Sequence, residues 1–296
     1  MTTENALAVQ GLTKSFGGFA LRDVTLTLPT GYVMGFVGPN GAGKTTTIKC
    51  LLGMLRIDGG TVEVLGRRVD AGAPGPADDV GVVLDRPYYV SDWRLDDVES
   101  ALRPFYSRWD GDRWSSLLDR FELDRRRKVK DLSRGMGMKL MVAAALSHDA
   151  RLLVLDEPTS GLDPAARDEL LTILSEFLED EQHSVLFSTH ITTDLERIAD
   201  YVTFIRDGAI VSTGTKDDLL DAYRVVRGGP QDAPPPGTPG FVSTRRHGSG
   251  FEALARAEAV RDLPDGVVVE PASLDDIVIH VGRASDGAFD HAEGSL

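Results

Sequence analysis

The chain has 296 residues, enough for one large or two modest domains, with 42% hydrophobic and 26% charged side chains, an ordinary balance for a globular protein. It carries 46 acidic against 32 basic residues, a net charge of −14, and phosphate backbones need clustered cations, so broad nucleic-acid binding is disfavoured. A single cysteine, Cys50, excludes an internal disulfide framework and any CxxC metal pair, and the six histidines show no paired ligand spacing.

The N-terminus, MTTENALAVQ, lacks a basic region followed by an apolar one, and no apolar run approaches the roughly 20 residues that span a bilayer. The chain therefore reads as cytosolic, with membrane contact made through a partner. The basic run RRRK, Arg125 to Lys128, reads as a solvated surface.

In chain order, ALAVQGLTKSF and LRDVTLTL alternate apolar and polar residues and predict two antiparallel strands of a half-exposed sheet. YVMGFV is continuously apolar, as a strand buried on both faces would be. TTTIKCLLGML predicts a helix with Cys50 packed inside, TVEVLG a strand, and DDVGVVL a buried strand ending near Asp85. From about 88 to 148 the pattern turns helical: LDDVESALRPFY, RWSSLLDRFEL and MKLMVAAALS carry apolar residues three and four apart. RLLVLDE and HSVLFSTH are short apolar strands separated by the helical AARDELLTILSEFLED, and YVTFIRDGAIVSTG predicts a hairpin turning at Asp207-Gly208.

Near Gly228 the composition shifts, and GGPQDAPPPGTPG predicts a linker over residues 228–250. A small accessory domain over 251–283 is expected next, with FEALARAEAV helical, GVVVE a strand and SLDDIVIHV helical. A frayed tail runs from Ala284 to Leu296. Strands alternating with helices over residues 1–220 imply an α/β domain with a helical block, followed by an α+β appendage.

GPNGAGKT, Gly38 to Thr45, fits G-x-x-x-x-G-K-[ST] between an apolar strand and a helix, the context of a phosphate-binding loop. Its glycines let successive N–H groups point inward, and the helix adds free N–H groups and the positive end of its dipole. Lys44 would grip the outer phosphates of a nucleotide, and the Thr45 hydroxyl would ligate Mg²⁺. RLLVLDEP ends a buried strand on Asp156 and Glu157, where open parallel sheets place ligands. Asp156 is expected to serve the metal and Glu157 to act as general base toward water.

LSRGM at 132–136, LLVLDEPTSGLDP after a short helix, and STH ending at His190 follow in order. With these motifs the chain resembles the ATP-binding subunit of an ABC transporter from Leu7 to about Thr215. The resemblance implies a P-loop NTPase of ABC type, with a parallel core sheet, an antiparallel β subdomain and a helical subdomain. It implies that ATP and Mg²⁺ are bound, that Phe16 stacks on adenine, and that Gly38, Pro39, Asn40, Gly41, Ala42, Gly43, Lys44, Thr45 and Thr46 cradle the triphosphate. Glu157, His190 and Lys44 would be catalytic, with His190 on the γ-phosphate; Thr45, Asp85 and Asp156 would serve the metal. Ser133 and Gly135 would contact ATP held by the opposite subunit, and Ser160 to Asp163 would form the loop by which two subunits sense each other. LSRGM alone also reads as an ordinary helix cap on Ser133. The partners implied are a second ATP-binding subunit, a further copy or a paralogue, and a membrane permease that holds the protein against the inner face of the membrane.

Three positions depart from the family's usual pattern. Arg134 and Met136 stand where the commonest signature has Gly and Gln; Asp85 stands at the loop glutamine; Met138 and Lys139 stand where many members have Gln-Arg. The first two departures, with the C-terminal PASLDDIVIHV, resemble bacterial exporter subunits that pair with a separate permease, among them lantibiotic and drug-resistance pumps. Two other classes fit this sequence less well. Soluble ABC ATPases acting on ribosomes or DNA usually carry two cassettes or a long coiled coil, and this chain has one cassette and no sustained heptads. A binding module without turnover would not need both Glu157 and His190.

Overall fold

The computed structural model describes residues 5–69, 77–260, 263 and 266–281; the expected tail from Ala284 lies outside them. The chain opens with β1 (Asn5–Phe16) and β2 (Phe19–Pro29), then β3 (Val33–Val37), α1 (Lys44–Leu51), β4 (Gly59–Val64), β5 (Arg67–Arg68) and β6 (Val80–Val83). The helical block holds α2 (Leu95–Leu102), α3 (Gly111–Arg120) and α4 (Arg134–Leu146). After it come β7 (Leu152–Asp156), α5 (Pro164–Phe177), β8 (Ser184–Thr189), α6 (Thr192–Ile198), β9 (Tyr201–Arg206), β10 (Ala209–Thr215) and α7 (Lys216–Ala222). The C-terminal part is β11 (Tyr223–Gly228), β12 (Phe241–His247), β13 (Gly250–Arg256), β14 (Val268–Pro271) and α8 (Leu274–Val281).

The central six-stranded sheet runs β10-β9-β3-β8-β7-β6, parallel except for the β9–β10 hairpin. Its inner strands β3, β8 and β7 are buried on both faces, which is why they read as unbroken apolar runs, while the edge strand β10 is partly exposed. Alternate residues still part cleanly. Met34, Phe36, Leu152, Val154 and Leu186 pack with α1 and a second, antiparallel sheet of order β2-β1-β4-β5. Val37, Leu153, Leu155, Val185 and Phe187 pack toward α4 and α5. Trp114 of α3 is fully buried in that second layer, and Cys50 is buried in the first, as its apolar setting predicts.

The C-terminal part differs from the sequence expectation. FEALARAEAV was expected to be helical, but Gly250–Arg256 is strand β13, followed only by a 3-10 turn over Ala257–Val260. It is flanked by β12 and β11 in a sheet of order β12-β13-β11-β14. Phe251, Ala253 and Ala255 pack on one face and Leu254 on the other, so tertiary pairing overrides the helix preference of Ala, Glu and Arg. The linker over 228–250 is also corrected: β11 ends on Gly228, and β12 occupies Phe241–His247, so the irregular stretch lies between them. The accessory sheet thus begins at Tyr223 rather than at residue 251. Helix α8 closes one face of this sheet and packs on α6, with Leu274 and Ile277 buried in the large core and Asp275 accepting from Thr192 Oγ1 at 3.0 Å. Among the described residues no helix is long and apolar enough to cross a membrane.

Candidate functional site

The loop between β3 and α1 wraps one wall of an open cleft of about 730 Å3 whose floor is the carboxyl ends of β7 and β8. Gly43 takes φ +114° to start α1, and a Cβ there would lie 2.7 Å from Leu21 and 2.9 Å from the Phe19 ring, so only glycine fits the turn. The loop delivers Lys44 to a nearly enclosed position. Its Nζ donates to the carbonyls of Gly38 at 2.6 Å and Pro39 at 3.3 Å and lies 3.3 Å from Glu157 Oε1.

Asp156 ends β7 and is 1% exposed. Its two oxygens accept from Thr45 Oγ1 at 2.7 Å and Ser188 Oγ at 3.1 Å. Burial pushes its carboxyl above the ordinary range; the two hydroxyls pull it back, and the Glu157 and Asp85 charges push it up further. Among the described residues no cluster of three or more His, Cys, Asp or Glu side chains makes a ready metal cage. Thr45 and Asp156 nonetheless present hard oxygens side by side. That fits Mg²⁺, which usually takes one or two protein ligands and completes its shell with water and substrate phosphate.

Glu157 follows at φ +53°, a backbone region that non-glycine residues seldom enter. The conformation is held by its N–H donating to the Ser188 carbonyl at 2.9 Å and by its own carbonyl accepting from Ser160 N–H at 3.1 Å. The turn swings the carboxylate between two groups: Lys44 on one side and His190 Nδ1, 2.7 Å from Oε2, on the other. Glu157 Oε1 is buried without a hydrogen bond of good geometry, an acceptor held ready for a proton or a donor. His190 lies just past β8, and the helix behind it, α6, is pinned by buried Asp194, which accepts from Thr159 Oγ1 at 2.7 Å and pairs with Arg167.

Thus Pro39, Asn40, Gly41, Gly43, Lys44, Thr45, Thr46, Asp85, Asp156, Glu157 and His190 all wall the one cleft. Gly38 and Ala42 are buried beneath the loop. Phe16 does not wall the cleft; it is 47% exposed at the β1–β2 turn, with Lys14 Nζ 5.5 Å from its ring centre, and Phe19 walls the cleft instead. Ser133 and Gly135 sit at the exposed start of α4, where Ser133 Oγ caps the helix by accepting from Met136 N–H at 3.2 Å, and only Arg134 reaches from there to the cleft. Asp163 caps α5 through Ala166 N–H at 2.9 Å and stands apart from the cleft wall. Sequence reading overlooked Ser188, Lys49, Phe19 and the reach of Arg134. Ser188 is the one with a signal, since it precedes the Thr-His pair by a single residue, yet its bond to Asp156 depends on strand register.

The chain matches the ABC transporter family over residues 21–160. It is 33% identical to a Nod factor export ATP-binding protein I of a Rhizobium species (strain N33), over 77% of this chain and 78% of that protein. It is 31% identical to the glucose import ATP-binding protein TsgD13 of Haloferax volcanii, over 75% of this chain but only 47% of that protein. A solved ATP binding subunit of an ABC transporter superposes with a TM-score of 0.65 at 27% identity, covering 72% of this chain and 91% of that one. Taken with the cleft and its sheet, these likenesses make the chain a member of the ABC transporter ATP-binding family.

Proposed function

We propose that the chain binds ATP with Mg²⁺ in this cleft, hydrolyses it, and drives transport through a separate membrane permease. The observation that carries the reading is the convergence of Lys44, Thr45, Asp156, Glu157 and His190 at one end of a parallel sheet, around a glycine loop that opens a helix. Lys44 is to trade its carbonyl partners for the outer phosphates. Glu157 accepts the proton of the water that attacks the γ-phosphorus, while the bond from that phosphorus to the ADP oxygen breaks. His190, fixed against Glu157, orients water and phosphate. Thr45 and Asp156 would hold Mg²⁺, which when bound would neutralise charge on the phosphates.

Ser133 is exposed at the start of α4, where it caps its own helix, and Gly135 is partly exposed beside it; their place outside this chain's own cleft supports a role toward nucleotide bound by a second cassette, either a copy or a paralogue. ATP would then join the two cassettes, and its hydrolysis would release them. Export is the direction we assign, supported by relatives named for it, such as the Nod factor export protein at 33% identity, although a protein named for glucose import is 31% identical. We assign the sensing of the membrane partner to Asp85, which is exposed on the cleft rim beyond β6.

The test is Glu157→Gln. It should retain ATP binding, run as a persistent pair on size exclusion with ATP, and lose about 100-fold or more in turnover. Ordinary turnover would remove Glu157 as the base.

A further inference from the structure

Arg134 has no part in the chemistry so far, yet it is built into the structure at three points. Its Nη2 donates to Ser160 Oγ at 3.2 Å. It reaches the cleft wall alongside Asp85 and His190. Its side chain also lies flat on Gly161, where an added Cβ would stand 3.1 Å from Arg134 Cδ and 3.2 Å from Nη1. Gly161 takes φ +77°, so the turn there needs glycine, and the space left by its absent side chain is the bed of the arginine. Ser160 in turn donates its N–H to the Glu157 carbonyl at 3.1 Å, one of the two bonds that hold Glu157 at positive φ. A short run of contacts therefore leads from the start of α4, through Arg134 and Ser160, to the backbone of the base.

We propose that Arg134 is a positioning residue that ties the α4 turn to the loop behind Glu157 in the same chain. Through it, the nucleotide that a partner cassette presents to Ser133 sets the geometry of this chain's own base, and the two sites fire together. The inference rests on the shared-site reading above. An exposed bond of this kind is weak in the lone chain and strengthens when a partner surface excludes water, so the tie acts in the closed pair.

The experiment follows ATP turnover against ATP concentration for the full chain and for Arg134→Gly, Arg134→Lys, Ser160→Ala and the double variant Arg134→Gly/Ser160→Ala. Arg134→Gly and Ser160→Ala are each expected to lower kcat about fivefold. The Hill coefficient should fall toward one, half-saturating ATP should stay within about twofold, and Arg134→Lys, which keeps the charge but loses the planar guanidinium, should recover only part of the loss. The double variant should be no worse than either single change, because both cut one link. Unchanged kcat and Hill coefficient in Arg134→Gly, or losses that multiply to about 25-fold in the double variant, overturn the tie. If turnover per chain of the unaltered protein does not depend on its concentration, the shared-site reading fails and the tie with it; concentration-dependent turnover with multiplying losses sinks the tie alone.

Discussion

The two halves of the proposed nucleotide site are built on opposite terms. The half on β3, β7 and β8 is buried and internally bonded: Lys44, Asp156 and Glu157 are 6%, 1% and 15% exposed, and each holds partners before any ligand arrives. The half at the start of α4 is exposed, and its serine does no more than cap its own helix. The difference teaches where binding and where control reside. A pre-bonded half can grip phosphates alone, whereas an exposed half contributes only when another surface closes on it.

Lys44→Ala attacks the buried half and should be the most severe change. It removes the phosphate grip and leaves Glu157 Oε1 without its nearest cation, so turnover should fall about 100-fold or more, with weakened nucleotide binding by fluorescence titration. Unchanged turnover would overturn the reading of the loop. Ser133→Ala attacks the exposed half. It should leave ATP binding to the lone chain within about twofold while lowering turnover about tenfold and abolishing the ATP-dependent pair. A loss of binding in the lone chain would place Ser133 in its own chain's site and dissolve the contrast.

The mildest change concerns the cost of preorganisation. The Asp156 carboxyl is raised, first by burial, so the folded state holds its proton more tightly than the unfolded chain does. The charged form therefore costs stability at neutral pH, and the cost disappears as pH falls through the folded value. Asp156→Asn, without nucleotide or metal, should raise the melting temperature at pH 7 by about 2–4 °C, with the gain shrinking in acid, while turnover is lost. A lowered melting temperature at neutral pH would show that the carboxylate stabilises the empty fold.

The same contrast between local and distant causes explains what could be read from the chain. The glycine loop, the D-E pair and the strand before each are contiguous, so their chemistry is written in spacing; α2 and α3 show three- and four-residue periods because each has one buried face, whereas α4 is buried all round from Leu140 to Leu146 and reads as helix from its unbroken apolar run. The C-terminal sheet lacks that clarity. β13 is covered on both faces, which erases alternation, and its Ala-rich composition favours helix until β11 and β12 pair with it. β12 follows a Pro/Gly-rich stretch that masked its start. Within the site, Ser188 meets Asp156 only because β7 and β8 share a register, and Arg134 meets Ser160 across 26 residues; no motif announces either.

The central claim, that each nucleotide is completed by two cassettes, is tested most directly by ATP turnover per chain measured across a wide dilution of the purified protein. Shared sites predict turnover per chain that falls steeply on dilution, or stays minimal until a second cassette is supplied. Full turnover per chain, unchanged at every dilution, would contradict it.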